Sequence, residues 1–259
     1  MPHDGTEERR DHEERRDHEE RRDPGWPPHD LARPPQDLAP APVTARLVAD
    51  SPAGRQAAIE ALRAGGLVAL PTDTVYGIGV RLDAPRGIER LFEAKRRPTD
   101  KAIILLLADP EQADEVGVLG PAARVLAAAG WPGGLTLVLP QRSTARLPAV
   151  LTGGVPTIGV RVPDHATPRA LAAAVGPLPT TSANIAGEPT RATAADILAA
   201  LGESIDLVLD GGPARAGHAS TIIDCSVERP RLLRAGAVAV AALAAILDEA
   251  ELPHDLPRE

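Results

Sequence analysis

From position 43 onward the chain alternates between short apolar runs and segments with apolar positions at helical spacing. The runs at 67–70, 102–107 and 135–139 carry almost no polar residue, the pattern of strands buried on both faces. Further strands are predicted at 157–162, 178–181, 206–209, 220–224 and 231–234. Helical spacing falls at 53–64, 85–94, 110–116, 121–129, 167–175, 193–201 and 238–249. Gly65-Gly66 supplies a stop signal after the first helix. Strands and helices in alternation predict an α/β sheet covered by helices. The domain is expected over 44–250, with a flexible C-terminal tail over 251–259.

The first 43 residues have a different texture. Positions 7–23 repeat Glu-Glu-Arg-Arg-Asp-His, and 24–43 hold seven prolines. The repeat offers charge pairs along one turn but no apolar face to bury, so 1–43 is expected to be a disordered charged-repeat and Pro-rich appendage.

Composition narrows the function classes. A net charge of −8 argues against bulk electrostatic binding of nucleic acid. One cysteine, Cys225, excludes an internal disulfide and a cysteine-cluster metal site. No apolar run is long enough to span a bilayer and no secretory signal is present, so a cytoplasmic protein is expected, with no membrane partner. The 28 cations comprise 26 arginines and two lysines, and both lysines lie in Lys95-Arg96-Arg97-Pro98-Thr99-Asp100-Lys101. Lys places three donors at a point and Arg is a planar fork, so this pair suggests a site that needs ammonium groups.

Familiar phosphate loops are absent: there is no Gly-x-x-x-x-Gly-Lys-Ser/Thr and no Gly-x-Gly-x-x-Gly. Nor is there a Gly-x-Ser-x-Gly elbow or a His-Glu-x-x-His. Five other segments concentrate polar chemistry. Pro71-Thr72-Asp73-Thr74-Val75-Tyr76-Gly77 follows a strand, where open α/β sheets bind ligands, although Asp73 also suits an ordinary polar turn. The Lys95/Arg97/Lys101 cluster sits between a helix and a buried strand; it is either a solvated helix end or an anion site. Arg161, bracketed by Val160 and Val162, is either salt-bridged inside the fold or aimed at a ligand carboxylate. Thr180-Thr181-Ser182-Ala183-Asn184, with Gly187 and Thr190, is a hydroxyl-rich turn after a strand. Asp210-Gly211-Gly212 and Ser220-Thr221 carry the same ambiguity between turn and phosphate chemistry. Together these segments are rich in cations and hydroxyls and poor in general bases. That mixture suits charge neutralisation on phosphate better than acid–base hydrolysis.

In this order, and with Trp131-Pro132-Gly133-Gly134-Leu135-Thr136 and Val160-Arg161-Val162-Pro163-Asp164-His165 between them, the segments resemble the YrdC/Sua5 threonylcarbamoyl-AMP synthases over about 50–235. The resemblance implies a twisted mixed α/β sheet with flanking helices and a concave, positively charged cavity. It implies a nucleotidyltransferase that joins L-threonine, bicarbonate or CO2, and ATP, releasing pyrophosphate, for N6-threonylcarbamoyladenosine at tRNA position 37. The family's Lys-x-Arg…Ser-x-Asn signature reads Lys95, Arg97, Ser182 and Asn184, carried over as catalytic. Arg97, Lys101, Thr157, Ser182, Thr190 and Ser220 match positions around ATP. Thr74, Arg161 and Thr180 match positions that hold L-threonine. Mg²⁺ is expected with ATP, without a dedicated protein site. A tRNA threonylcarbamoyl-transfer machinery is the implied downstream partner, with at most a weak contact to RNA.

Three positions depart from the family pattern: Ala102 for Pro, Leu106 for His, and Ala219 for the Glu of Glu-Ser-Thr. Competing readings are weaker. An RNA-binding or ribosome-associated factor would want more stacking aromatics than the four present. A carbamoyl-transfer module of the hydrogenase-maturation type would carry zinc-finger regions that one cysteine cannot build. An inactive homologue that only hydrolyses ATP is opposed by the intact signature.

Overall fold

The structure is a computed structural model that describes residues 45–98, 101–214 and 218–258. The expected N-terminal appendage therefore lies outside the described residues. Ten strands among the described residues form one mixed sheet. They are β1 (Arg46–Ala49), β2 (Val68–Leu70), β3 (Gly77–Gly79), β4 (Ile104–Leu106), β5 (Leu135–Pro140), β6 (Thr157–Arg161), β7 (Leu178–Ser182), β8 (Leu207–Asp210), β9 (Thr221–Asp224) and β10 (Arg231–Arg234). Their order is β1-β8-β2-β3-β7-β4-β6-β5-β9-β10. The pairs β1/β8, β2/β8, β4/β6 and β5/β9 are parallel; the other neighbours are antiparallel.

Helices cover both faces, as continuous apolar strands require. Helices α1 (Pro52–Arg63) and α6 (Ala166–Val175) join Val68, Leu70, Leu106, Leu178, Leu207 and Leu209 in one core. On the opposite face Leu67, Ala69, Leu105 and Val208 join a larger core. It includes residues of α2 (Gly87–Lys95), α3 (Ala113–Val116), α4 (Pro121–Gly130), α5 (Ala149–Thr152), α7 (Ala194–Leu201) and α8 (Val240–Glu249). Successive side chains point to opposite faces, so an unbroken apolar run feeds two cores at once.

Three elements were not expected: the edge strand β1, the four-residue α5, and β3. Gly-Ile-Gly reads as a turn, yet β3 lies in the middle of the sheet, paired with both β2 and β7. A Cβ on Gly77 would meet Thr180 Cγ2 at 2.7 Å, so this glycine permits a close approach between strands rather than a bend.

The C-terminal segment is a correction. Residues 251–258 do not hang free. Leu256 is 4% exposed, and His254 is buried with it. Asp255 N–H donates to Pro230 O, so the segment runs beside β10, and Arg229 and Arg258 pair with Asp255 and Asp248. Leu252 and Leu256 are four positions apart, a spacing that helix and strand both allow, but Pro253 and Pro257 break either pattern, so the sequence reads as tail. Among the described residues no helix is long and apolar enough to cross a membrane.

Candidate active site

The carboxyl ends of β2 and β6, with β3, β4, β7, β9 and β10, surround a cavity of about 310 Å³. Thr74, Arg97, Arg161, Thr180, Ser182, Thr190 and Ser220 all line it, although 146 positions separate the first from the last. The three departures from the family pattern, Ala102, Leu106 and Ala219, line it too.

Arg161 is ion-paired inside the fold, as one of its two sequence readings has it, and it also lines the cavity. Its Nη2 donates to Asp73 Oδ1 at 2.5 Å, Nη1 to Thr74 Oγ1 at 2.7 Å and Nε to Gly133 O at 2.8 Å. Burial lowers its pKa and Asp73 pulls it back up. A guanidinium has five N–H donors, so two remain for a ligand.

The hydroxyls beside it have a readable polarity. Thr72 Oγ1 donates to Val75 O at 2.6 Å, which leaves it to accept from Thr74 Oγ1 at 3.1 Å. The Thr74 hydroxyl therefore spends its proton on Thr72 and accepts from Arg161. Thr180 Oγ1 spends its proton on Leu178 O at 2.9 Å. Both hydroxyls turn acceptor capacity, not donor capacity, toward any ligand.

At the other side of the cavity, Arg234 Nη2 reaches both Ser220 O at 2.9 Å and Ser220 Oγ at 3.2 Å, and Ser220 Oγ lies 2.7 Å from Thr136 Oγ1. Burial lowers the Arg234 pKa, and Arg161 and Arg97 lower it further. Three guanidinium groups thus act on one cavity, and the lining among the described residues holds no carboxylate. Arg234 was read only as a strand residue. The available signal was Gly236: a Cβ there would meet Ala219 O at 2.2 Å, so the backbone after β10 presses on the segment that carries Ser220.

The remaining signature residues stand behind the cavity wall. Lys95 is 1% exposed, and its ammonium donates to Ser182 O, Asn184 O and Asn184 Oδ1. Asn184 Oδ1 also accepts from Ser182 Oγ at 2.5 Å, and Asn184 Nδ2 donates to Glu188 O at 2.7 Å. Burial, then the Arg97 charge, push the Lys95 pKa down to about 8.

Two expected ATP residues are not brought to this cavity. Lys101 is exposed, and its carbonyl accepts from Arg97 Nε at 3.5 Å. Thr157 sits at the start of β6, opposite Pro140, about 13 Å from Arg161 at the rise of a strand. The two lysines therefore do not form one ammonium pair: one is sealed under a turn and the other faces solvent.

The same architecture recurs in known proteins. The family model for Sua5/YciO/YrdC, described as "Telomere recombination", matches residues 60–236. A Bacillus subtilis protein named threonylcarbamoyl-AMP synthase is 37% identical over 209 residues, covering 79% of this chain and 59% of that protein. One of the same name from Chromohalobacter salexigens is 40% identical over 169 residues, covering 64% of this chain and 90% of that one. The crystal structure of Pyrococcus abyssi Sua5 complexed with L-threonine superposes with a TM-score of 0.73 at 34% identity, covering 81% of this chain and 61% of that chain. The chain thus spans about three fifths of the length of its Bacillus and Pyrococcus relatives, and most of the Chromohalobacter one. On the extent of the family match and the shared fold, this chain belongs to the Sua5/YciO/YrdC family.

Proposed function

We propose that this protein is an L-threonylcarbamoyladenylate synthase, joining L-threonine, CO2 or bicarbonate, and ATP into threonylcarbamoyl-AMP with release of pyrophosphate. One observation carries the reading: Arg161 with two acceptor hydroxyls, and Arg97 with Arg234, share a single cavity.

The threonine carboxylate would take the two unspent donors of Arg161 as a bidentate pair. Thr74 and Thr180, each with its proton committed, would accept from the substrate's amine or hydroxyl. The neutral amine adds to CO2 and loses a proton, giving a carbamate. A carbamate oxygen then attacks the α-phosphate of ATP, and the bond to the β-phosphate oxygen breaks as pyrophosphate leaves. Arg97 and Arg234 would balance the negative charge on the phosphate oxygens, and Thr190 and Ser220 would orient them, while Ser182, its proton given to Asn184 Oδ1, would accept from the nucleotide. Holding amine, carbon and phosphorus in one small cavity supplies acceleration by proximity. The lining offers guanidinium groups and hydroxyls, so Mg²⁺ would arrive as MgATP and keep most of its waters. The product is a mixed anhydride, and a tRNA-directed transfer enzyme is the partner that would consume it.

The test is pyrophosphate release measured with each substrate omitted in turn. Release should need ATP, L-threonine and bicarbonate together. Equal release without L-threonine would replace this reading with simple ATP hydrolysis.

A further inference from the structure

We infer that Lys95 is a positioning residue whose ammonium clamps the Ser182-Ala183-Asn184 turn, rather than a ligand of the nucleotide phosphates. The inference rests on the proposed function only in taking an adenine nucleotide as the ligand of the turn.

The geometry leaves the ammonium nothing to give a ligand. It has three N–H donors and three oxygen partners: Ser182 O, Asn184 O and Asn184 Oδ1. The acceptors close the account from their side. Asn184 Oδ1 has two lone pairs, filled by Lys95 and by the Ser182 hydroxyl. The Lys95 backbone joins the same grip, its carbonyl accepting from Ala186 N–H at 2.9 Å. Ala183 N–H is tied to Tyr76 O at 2.8 Å. The turn is thus held from α2 on one side and from the 71–77 segment on the other, and Ser182 is presented to the cavity. The Arg97 guanidinium repels the ammonium; Glu188 and Arg191, further along the turn's continuation, pair with each other.

This arrangement also explains why the residue is Lys in a chain that otherwise uses Arg. Three carbonyl oxygens converging on a point fit an ammonium, while a planar guanidinium would spread its donors past them.

Binding to AMP, ADP and ATP separates the two roles. A phosphate ligand contributes more as phosphates are added; a clamp contributes equally to all three, because it acts through Ser182. In Lys95→Met the affinities for the three nucleotides should fall by one common factor, about tenfold or more for a lost charge-assisted contact. Amide exchange should quicken at 183–186 with the rest of the sheet unchanged, and propylammonium should restore AMP affinity to Lys95→Ala where guanidinium does not. For wild-type protein, AMP and ATP affinity should fall in parallel as pH rises through 8, a readout that stands even when the variants fold poorly. A loss that grows from AMP to ATP, or unchanged exchange at 183–186, overturns the clamp. Wild-type protein that binds none of the three nucleotides would count against the functional reading instead, and the exchange measurement would still decide the clamp.

Discussion

Replacing Asp73 by Ala tests how the cavity holds Arg161. The side chain of Arg161 is 5% exposed and that of Asp73 14% exposed, with 2.5 Å between charged atoms. Removing one member of a buried pair costs about 3–5 kcal/mol, because the survivor stays desolvated without its counter-charge. Here Gly133 O and Thr74 Oγ1 still accept from the guanidinium, and water can reach the Asp73 side, so the lower end applies, about 3 kcal/mol. For a domain of this size, about 2–4 °C per kcal/mol converts this to a fall of about 6–12 °C in Tm. Asp73→Asn keeps an oxygen for Nη2 and should lose only about 1–2 kcal/mol. The double variant Asp73→Ala/Arg161→Met should be less destabilised than the sum of the single variants, since it strands no charge. Thermal unfolding followed by circular dichroism reads all of these. Added L-threonine should raise the Tm of Asp73→Ala more than that of the wild type, its carboxylate standing in for the lost anion. A shift under about 1 °C for Asp73→Ala, below the per-kcal value for this size, would refute the view that Asp73 balances Arg161.

Other outcomes follow from the same geometry. Arg234→Ala removes a guanidinium from the cavity and the grip on Ser220 together, so kcat/KM for ATP should fall about 100-fold or more; steady-state kinetics checks it. Lys95 has its pKa lowered from 10.5 to about 8 in the folded chain, so between these values the unfolded chain holds a proton the folded chain has lost. Its contribution to stability is present above 10.5 and is lost as pH falls through about 8, so wild type should gain stability relative to Lys95→Met from pH 8 upward, while nucleotide affinity falls. Denaturant midpoints across that range measure the difference, and a wild-type advantage that shrinks with rising pH would reverse the sign. Leu256→Ala should cost about 2 kcal/mol in denaturant unfolding because the side chain is buried; a free tail would cost nothing.

The sheet was legible because its central strands bury both faces, which leaves unbroken apolar runs between helices of ordinary period. What escaped was set by tertiary contact. Gly77 and Gly79 look like turn residues, and only the closeness of Thr180 to the first and of Leu178 to the second explains why a strand needs them. Leu252 and Leu256 sit among prolines, so no helix or strand pattern announces that Leu256 is buried and Leu252 packs against the core. Thr74, Arg161 and Ser182 belong to segments whose polar chemistry stands out in the sequence, and the fold brings them to one cavity. Arg234 was missed because an arginine at the end of a short strand has no distinguishing neighbours except Gly236. Lys95 and Lys101 were grouped because they are close in sequence, but the end of α2 turns one inward and the following loop leaves the other outside. Charge composition points to a site; it does not say which atoms the charge touches.

On the proposed reading, one cavity joins three substrates into one mixed anhydride. Incubation with ATP, L-threonine and ¹³C-bicarbonate, followed by mass spectrometry of the nucleotides, tests it most directly. The expected product is a threonylcarbamoyl-AMP that carries the ¹³C label and forms in step with pyrophosphate, and whose formation is abolished in Arg161→Ala. Unlabelled AMP or ADP as the only nucleotide product would contradict it.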